Sequence, residues 1–135
     1  MEQMESEEVP PSFISPEDIE KEGWLFKESR FWKTWRKRWW VLTKKWLITF
    51  ENEDWRNESK PTEQLYMGKW KTVKSIDDEV NKNNAFKVDI EGTVFRFYTD
   101  TYADKEAWIG ALGRAMIKKS VIIADEQFDN LPDFL

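Results

Sequence analysis

Apolar and polar positions alternate through most of this chain, and the period of that alternation changes once, near residue 100. Gly23-Trp24-Leu25-Phe26-Lys27 opens the first strand. A polar connection, Glu28 to Thr34, follows and is interrupted by Phe31 and Trp32. From Trp35 the two-residue period is clear. Trp35, Lys37, Trp39 and Val41 share one face, and Arg36, Arg38, Trp40 and Leu42 share the other. Lys44-Lys45 turns the chain into Trp46–Phe50, a run of apolar and β-forming residues. Residues 51–61 are charged and end in Lys-Pro, which predicts a long loop. Gln64–Met67 and Trp70–Ile76 predict two short strands around Gly68, and Asp77–Asn84 a polar loop. Phe86–Ile90 and Thr93–Tyr98 alternate on either side of Glu91-Gly92, a tight hairpin signal. Seven short strands predict an all-β barrel or sandwich.

Beyond Thr101 the period becomes helical. Trp108, Ile109, Leu112, Ala115 and Met116 form one stripe. Thr101 and Asp104 have the spacing of a capping box, and Lys118-Lys119 suit the negative end of the helix dipole. The stripe is expected to plug one end of the β core. Three regions follow: a Glu-rich tail at 1–20, a domain at 21–119, and an acidic, partly apolar tail at 120–135.

Composition narrows the function more by exclusion than by suggestion. With 135 residues, 40% of them hydrophobic, the chain can close one core. It has no cysteine and no histidine, which removes disulfides, cysteine or histidine metal sites, thiol nucleophiles and imidazole bases. No signal-peptide pattern opens the sequence and no apolar run approaches the ~20 residues of a membrane span, so an intracellular domain is expected. Neither a cofactor nor a metal is expected. The five glycines form no phosphate-loop spacing, and the carboxylates Asp77, Asp78 and Glu79 have no nucleophile beside them, so an enzyme is the weakest reading.

Charge placement is more telling than the net charge of −5. All 21 Lys and Arg lie within 21–119, against 15 acids there, so a domain of net +6 sits between two acidic tails. Lys21 to Lys45 alone hold nine basic residues and two acids. Such density suits an anionic partner: nucleic acid, a membrane surface or a phosphorylated ligand. A solvated charged face is the plain alternative. Single-stranded nucleic acid fits the basic and aromatic content, but the acidic tails and a pI near 4.9 count against it.

The opening Lys21-Glu22-Gly23-Trp24-Leu25-Phe26-Lys27, the run Lys33–Leu42, and Lys105-Glu106-Ala107-Trp108 in the final helix stand at the spacing of one family. Over roughly 20–119 the chain resembles the pleckstrin homology (PH) family, and in its last part it looks like small plant-type proteins made of one PH domain. The resemblance implies a mainly β fold: a bent, seven-stranded antiparallel barrel capped by one C-terminal α-helix. Its open end would be framed by the loops after strands one, three and six.

The resemblance also implies a phosphoinositide headgroup site in a module recruited to cytosol-facing plasma or endosomal membranes, serving signalling or membrane trafficking. Lys27 and Arg38 would hold a 3-phosphate, Arg36 the phosphate joining the headgroup to diacylglycerol, and Lys33 a 5-phosphate. Thr49 stands where many members carry a Tyr whose hydroxyl donates to the ligand, and its reach is shorter. The hairpin Ile90–Thr93 is too short to bring further cations, so selectivity among 3-phosphorylated lipids is open. Phe31 and Trp32 are expected to insert at the membrane interface, or else one of them packs under its loop. Trp24, Trp40, Trp46 and Trp108 are expected in the core, while Trp55 and Trp70 have no assigned place. A PH-like barrel that docks a peptide is the alternative function, and the tails could recruit a protein partner.

Overall fold

The computed structural model describes residues 14–29, 31–56, 60–67 and 70–128, with side chains in the last helix as far as Met116. Most of the two tails, 1–13 and 129–135, lies outside the described residues, as do Arg30, Gly68 and the side chain of Trp70.

A short 3₁₀ turn at Pro16–Asp18 leads into β1 (Ile19–Glu28), β2 (Trp35–Thr43), β3 (Trp46–Phe50) and β4 (Glu63–Tyr66). Then come β5 (Trp70–Ser75), a single helical turn α1 (Asp77–Val80), β6 (Ala85–Ile90), β7 (Thr93–Tyr98) and α2 (Tyr102–Phe128). The strands form one antiparallel sheet in the order β4-β3-β2-β1-β7-β6-β5. Its edges, β4 and β5, are consecutive in the chain, and Leu65 of β4 and Val73 of β5 pack against the same core cluster. The sheet therefore bends round until its two edges share one interior. Burying the inward faces of seven strands in a chain this short requires that curvature.

The interior is lined by Leu25, Trp40, Leu42, Leu47, Phe86, Val88 and Phe97, all essentially inaccessible to solvent. One end is closed by α2, which buries Trp108, Ala111 and Leu112, with Ile109 and Ala115 packed beside them. Four of the five residues of the predicted stripe are among them; Met116 is not, and Ala111, which the stripe did not include, is buried with them. The Thr101 hydroxyl oxygen accepts from the Asp104 N–H at 3.0 Å, so the predicted cap is made. Lys105, in the first turn, is buried and donates to Ser75 Oγ at 2.6 Å and Asp77 Oδ1 at 3.0 Å. Asp77 also accepts from the backbone N–H groups of Ala85 and Asn84. A stretch that reads as a polar loop thus serves as the clasp between α2 and β6. The Ala85 hydrogen bond is the main cause that holds the Asp77 carboxyl below the usual aspartate range; Lys105 and Asn84 add to it against a smaller effect of burial.

A second apolar cluster covers the outer face of the β1–β4 half: Val41, Trp46, Ile48, Phe50 and Trp55, with Ile14, Ile19, Trp39 and Tyr66 against them. It explains three departures from the sequence expectation. β1 begins at Ile19, before the predicted Gly23 and inside the segment read as a tail, because Ile19 has apolar partners there. Trp24 is not a core residue: Leu25 is fully buried, so its neighbour alternates outward, where Trp24 meets Trp39 edge-on at 5.2 Å. Trp46 is buried as expected, but in this outer cluster. At the other end, α2 continues past Lys119 to Phe128, so the composition boundary at 120 is not a boundary of the backbone.

Candidate functional site

β1 and β2 pair with Lys27 opposite Arg36 and Leu25 opposite Arg38. Arg36 and Arg38 are two residues apart on one strand and share a face, and Lys27 lies beside them on the neighbouring strand. The predicted convergence of three cations is therefore built directly into the ladder. Along β2, the next inward residue is Trp40, which pairs with Thr49 of β3, and Thr49 in turn pairs with Glu63 of β4.

These residues line a cavity of about 320 Å³, together with Ser29, Phe31 and Thr62. Cations hold one wall, Trp40 and Thr49 lie deeper, and Thr62 and Glu63 form the far side. Among the described residues, no carboxylate is paired with Arg36 or Arg38. Two guanidiniums and an ammonium aimed into one concavity create an anion site of high field, and a guanidinium can meet phosphate oxygens as a fork.

Lys27 differs from the two arginines. Its side chain is only 12% exposed, and its ammonium stands 3.4 Å from Glu63 Oε1 and 5.4 Å from the centroid of Phe95. Thr49 is also differently placed from the expectation. It is buried at 2% exposure, and its hydroxyl donates to the Trp39 carbonyl at 3.2 Å, so its proton is committed to the sheet. Lys33 is exposed, in a left-handed backbone conformation (φ 58°), and does not line the cavity. Phe31 and Trp32 are the most exposed large apolar residues described, at 84% and 75%. They are held at the tip by Ser29, whose Oγ accepts from both of their backbone N–H groups and whose own N–H donates to the Thr34 carbonyl. Neither ring packs under the loop. Phe31 touches the cavity mouth, so the apolar tip and the basic wall face the same side.

Ser29, Thr62 and Glu63 were not legible as site residues. Ser29 lies just after β1 and carried no charge signal, while the other two follow a loop whose length hides where the chain returns.

Comparison with known proteins bears on the family and the fold. The family model described as "PH domain" matches residues 19–116. The chain belongs to the PH domain family. It is 34% identical over 110 residues to "Pleckstrin homology domain-containing protein 1" of Arabidopsis thaliana, covering 80% of this chain and 76% of that protein. Its fold is similar to the solution structure of the PH domain of human pleckstrin homology domain-containing protein family A member 5, with TM-score 0.63 and 26% identity over 81% of this chain and 86% of that one. It is also similar to the Slm1-PH domain in complex with phosphoserine, with TM-score 0.60 and 26% identity over 68% of this chain and 90% of that one.

Proposed function

We propose that this PH domain binds the phosphorylated headgroup of inositol lipids and so brings the protein to cytosol-facing membranes, plasma or endosomal. The observation that carries the reading is the ladder pairing of Lys27 with Arg36, with Arg38 on the same face, around a cavity wide enough for a phosphorylated ring. The Slm1-PH domain has been solved with phosphoserine and with inositol-4-phosphate, which supports a phosphate ligand for a domain of this build. Preference for 3-phosphorylated headgroups is the finer proposal, with Lys27 and Arg38 on the 3-phosphate and Arg36 on the phosphate leading to the acyl chains. Lys33 meets a further phosphate only when the ligand reaches beyond the cavity. Phe31 and Trp32 enter the bilayer interface, where exposed aromatic rings gain an apolar environment. The position of Phe31 at the cavity mouth, with Trp32 next to it in the chain, lets headgroup capture and insertion proceed together.

A liposome panel carrying each phosphoinositide in turn, at fixed salt, tests the reading. Selective retention on 3-phosphorylated vesicles supports the whole of it. Retention on every anionic vesicle in proportion to charge would reduce it to nonspecific attraction. An absence of retention would favour the peptide-docking alternative.

A further inference from the structure

Glu63 is the one carboxylate among the described residues that lines the cavity, and it stands against the most buried of the three cations. Taking the basic cavity as the headgroup site, as proposed above, we infer that Glu63 is a specificity-determining residue that penalises heavily phosphorylated rings and favours one with a free hydroxyl beside the phosphate on Lys27.

The physical basis is local. Lys27 lies mostly out of water beside two arginines, an environment in which an ammonium without a counter-charge is costly. The carboxylate at 3.4 Å compensates it. A phosphate that approaches Lys27 therefore meets Glu63 as well. The side chain of Glu63 is 34% exposed, so it has solvent to swing towards, and one phosphate can be accommodated by displacing it. A second phosphate on the adjacent ring position would then sit against the same carboxylate, and like charges that close in a site of reduced dielectric repel strongly. A hydroxyl at that position has the opposite effect. It can donate to the carboxylate in a charge-assisted hydrogen bond. Lys27, Arg36 and Arg38 supply attraction for any phosphate, and Glu63 supplies the discrimination. A site with three cations alone would bind more tightly as phosphates are added.

Titration of soluble inositol mono-, bis- and trisphosphates into the full-length chain and its Glu63→Gln variant, at one salt concentration, tests this. The neutral amide should raise affinity for the trisphosphate by about tenfold and for the monophosphate by less than about twofold. Thermal melts verify folding. Glu63→Thr, with a residue suited to the start of a strand, repeats the measurement should the amide disturb the fold. Glu51→Gln, at an exposed position outside the cavity, should change nothing. An equal gain for every ligand, or no gain, overturns the role of Glu63 while leaving the headgroup reading intact. If no inositol phosphate binds either protein, the headgroup reading itself fails and takes this inference with it.

Discussion

Glu22 Oε1 accepts a hydrogen bond from Trp55 Nε1 at 3.1 Å, joining β1 to a loop residue 33 positions away. The same oxygen accepts from Trp39 Nε1 at 2.9 Å, and Arg56 pairs with Oε2 at 2.8 Å. One partly buried carboxylate thus straps the 51–56 segment across the outer face of the sheet, where Trp55 stacks on Phe50 at 4.7 Å. Glu22→Ala removes the acceptor for both indoles and the partner of Arg56. It should lower stability by about 1.5–3 kcal/mol and Tm by roughly 5–15 °C. Glu22→Gln keeps a neutral acceptor for the indoles and should lose less than half as much. Calorimetry of the two variants against the parent checks the order.

Acid should weaken the same strap. Partial burial of Glu22 opposes its charge, but the hydrogen bonds from Arg56, Trp39 and Trp55 outweigh it and hold the carboxyl below the usual glutamate range. Asp77 is also lowered, chiefly by the Ala85 N–H. A carboxyl whose folded pKa is depressed binds its proton more readily when unfolded. Its contribution is therefore complete above the ordinary values of 4.5 and 3.8 and is lost as pH falls through the lower folded values. Melts from pH 7 downward should show Tm falling below about pH 4.5. In Glu22→Gln and Asp77→Asn, that fall should be shallower from a lower starting Tm.

Arg38 is half-buried on the cavity wall with no carboxylate partner among the described residues. Arg38→Ala should weaken binding of a soluble inositol phosphate by roughly 10- to 200-fold, the loss of one or more hydrogen bonds to a charged group. Arg38→Lys should recover only part, since an ammonium lacks the fork. Both variants should melt near the parent temperature. Unchanged affinity in a folded Arg38→Ala protein would remove this residue from the site.

Phe31 and Trp32 are almost free of intramolecular packing, so replacing both with Ala should leave Tm within about 2 °C. Liposome retention should fall severalfold while affinity for a soluble inositol phosphate stays within about twofold, because only a bilayer gives the rings a place to insert. Parallel loss of both affinities would mean that Phe31, at the cavity mouth, contacts the headgroup itself.

The N-terminal boundary yields a sharper truncation test than charge alone would suggest. Ile14 and Ile19 pack against the outer cluster, and Lys44 pairs with Asp18 at 3.6 Å. A chain starting at Ile14 should match the full protein in Tm. One starting at Glu20 should melt lower by roughly 3–8 °C, since two partly buried aliphatic side chains are lost. Equal melting temperatures would show the outer cluster contributes little.

Local rules made the succession of strands, turn and helix readable: the two-residue period, the Glu91-Gly92 turn with both residues at positive φ, and the Thr101 cap each act over a few residues. The cluster Lys27, Arg36 and Arg38 was readable for the same reason, since one short hairpin fixes it in a known register. What lies opposite that hairpin was not. Glu63 reaches the cavity only after a loop whose path depends on Trp55, and Trp55 finds its place through Glu22, far away in sequence. Thr49 has the right position to face a ligand, yet a carbonyl on the adjacent strand takes its proton. Alternation assigns a residue to a face, but the second apolar cluster made both faces of β1–β3 partly buried, so alternation could not say which tryptophans were inside. Sequence determined the cations, because their spacing is local. Only the closed sheet decided the carboxylate that confronts them, because that contact spans elements whose separation no local period encodes.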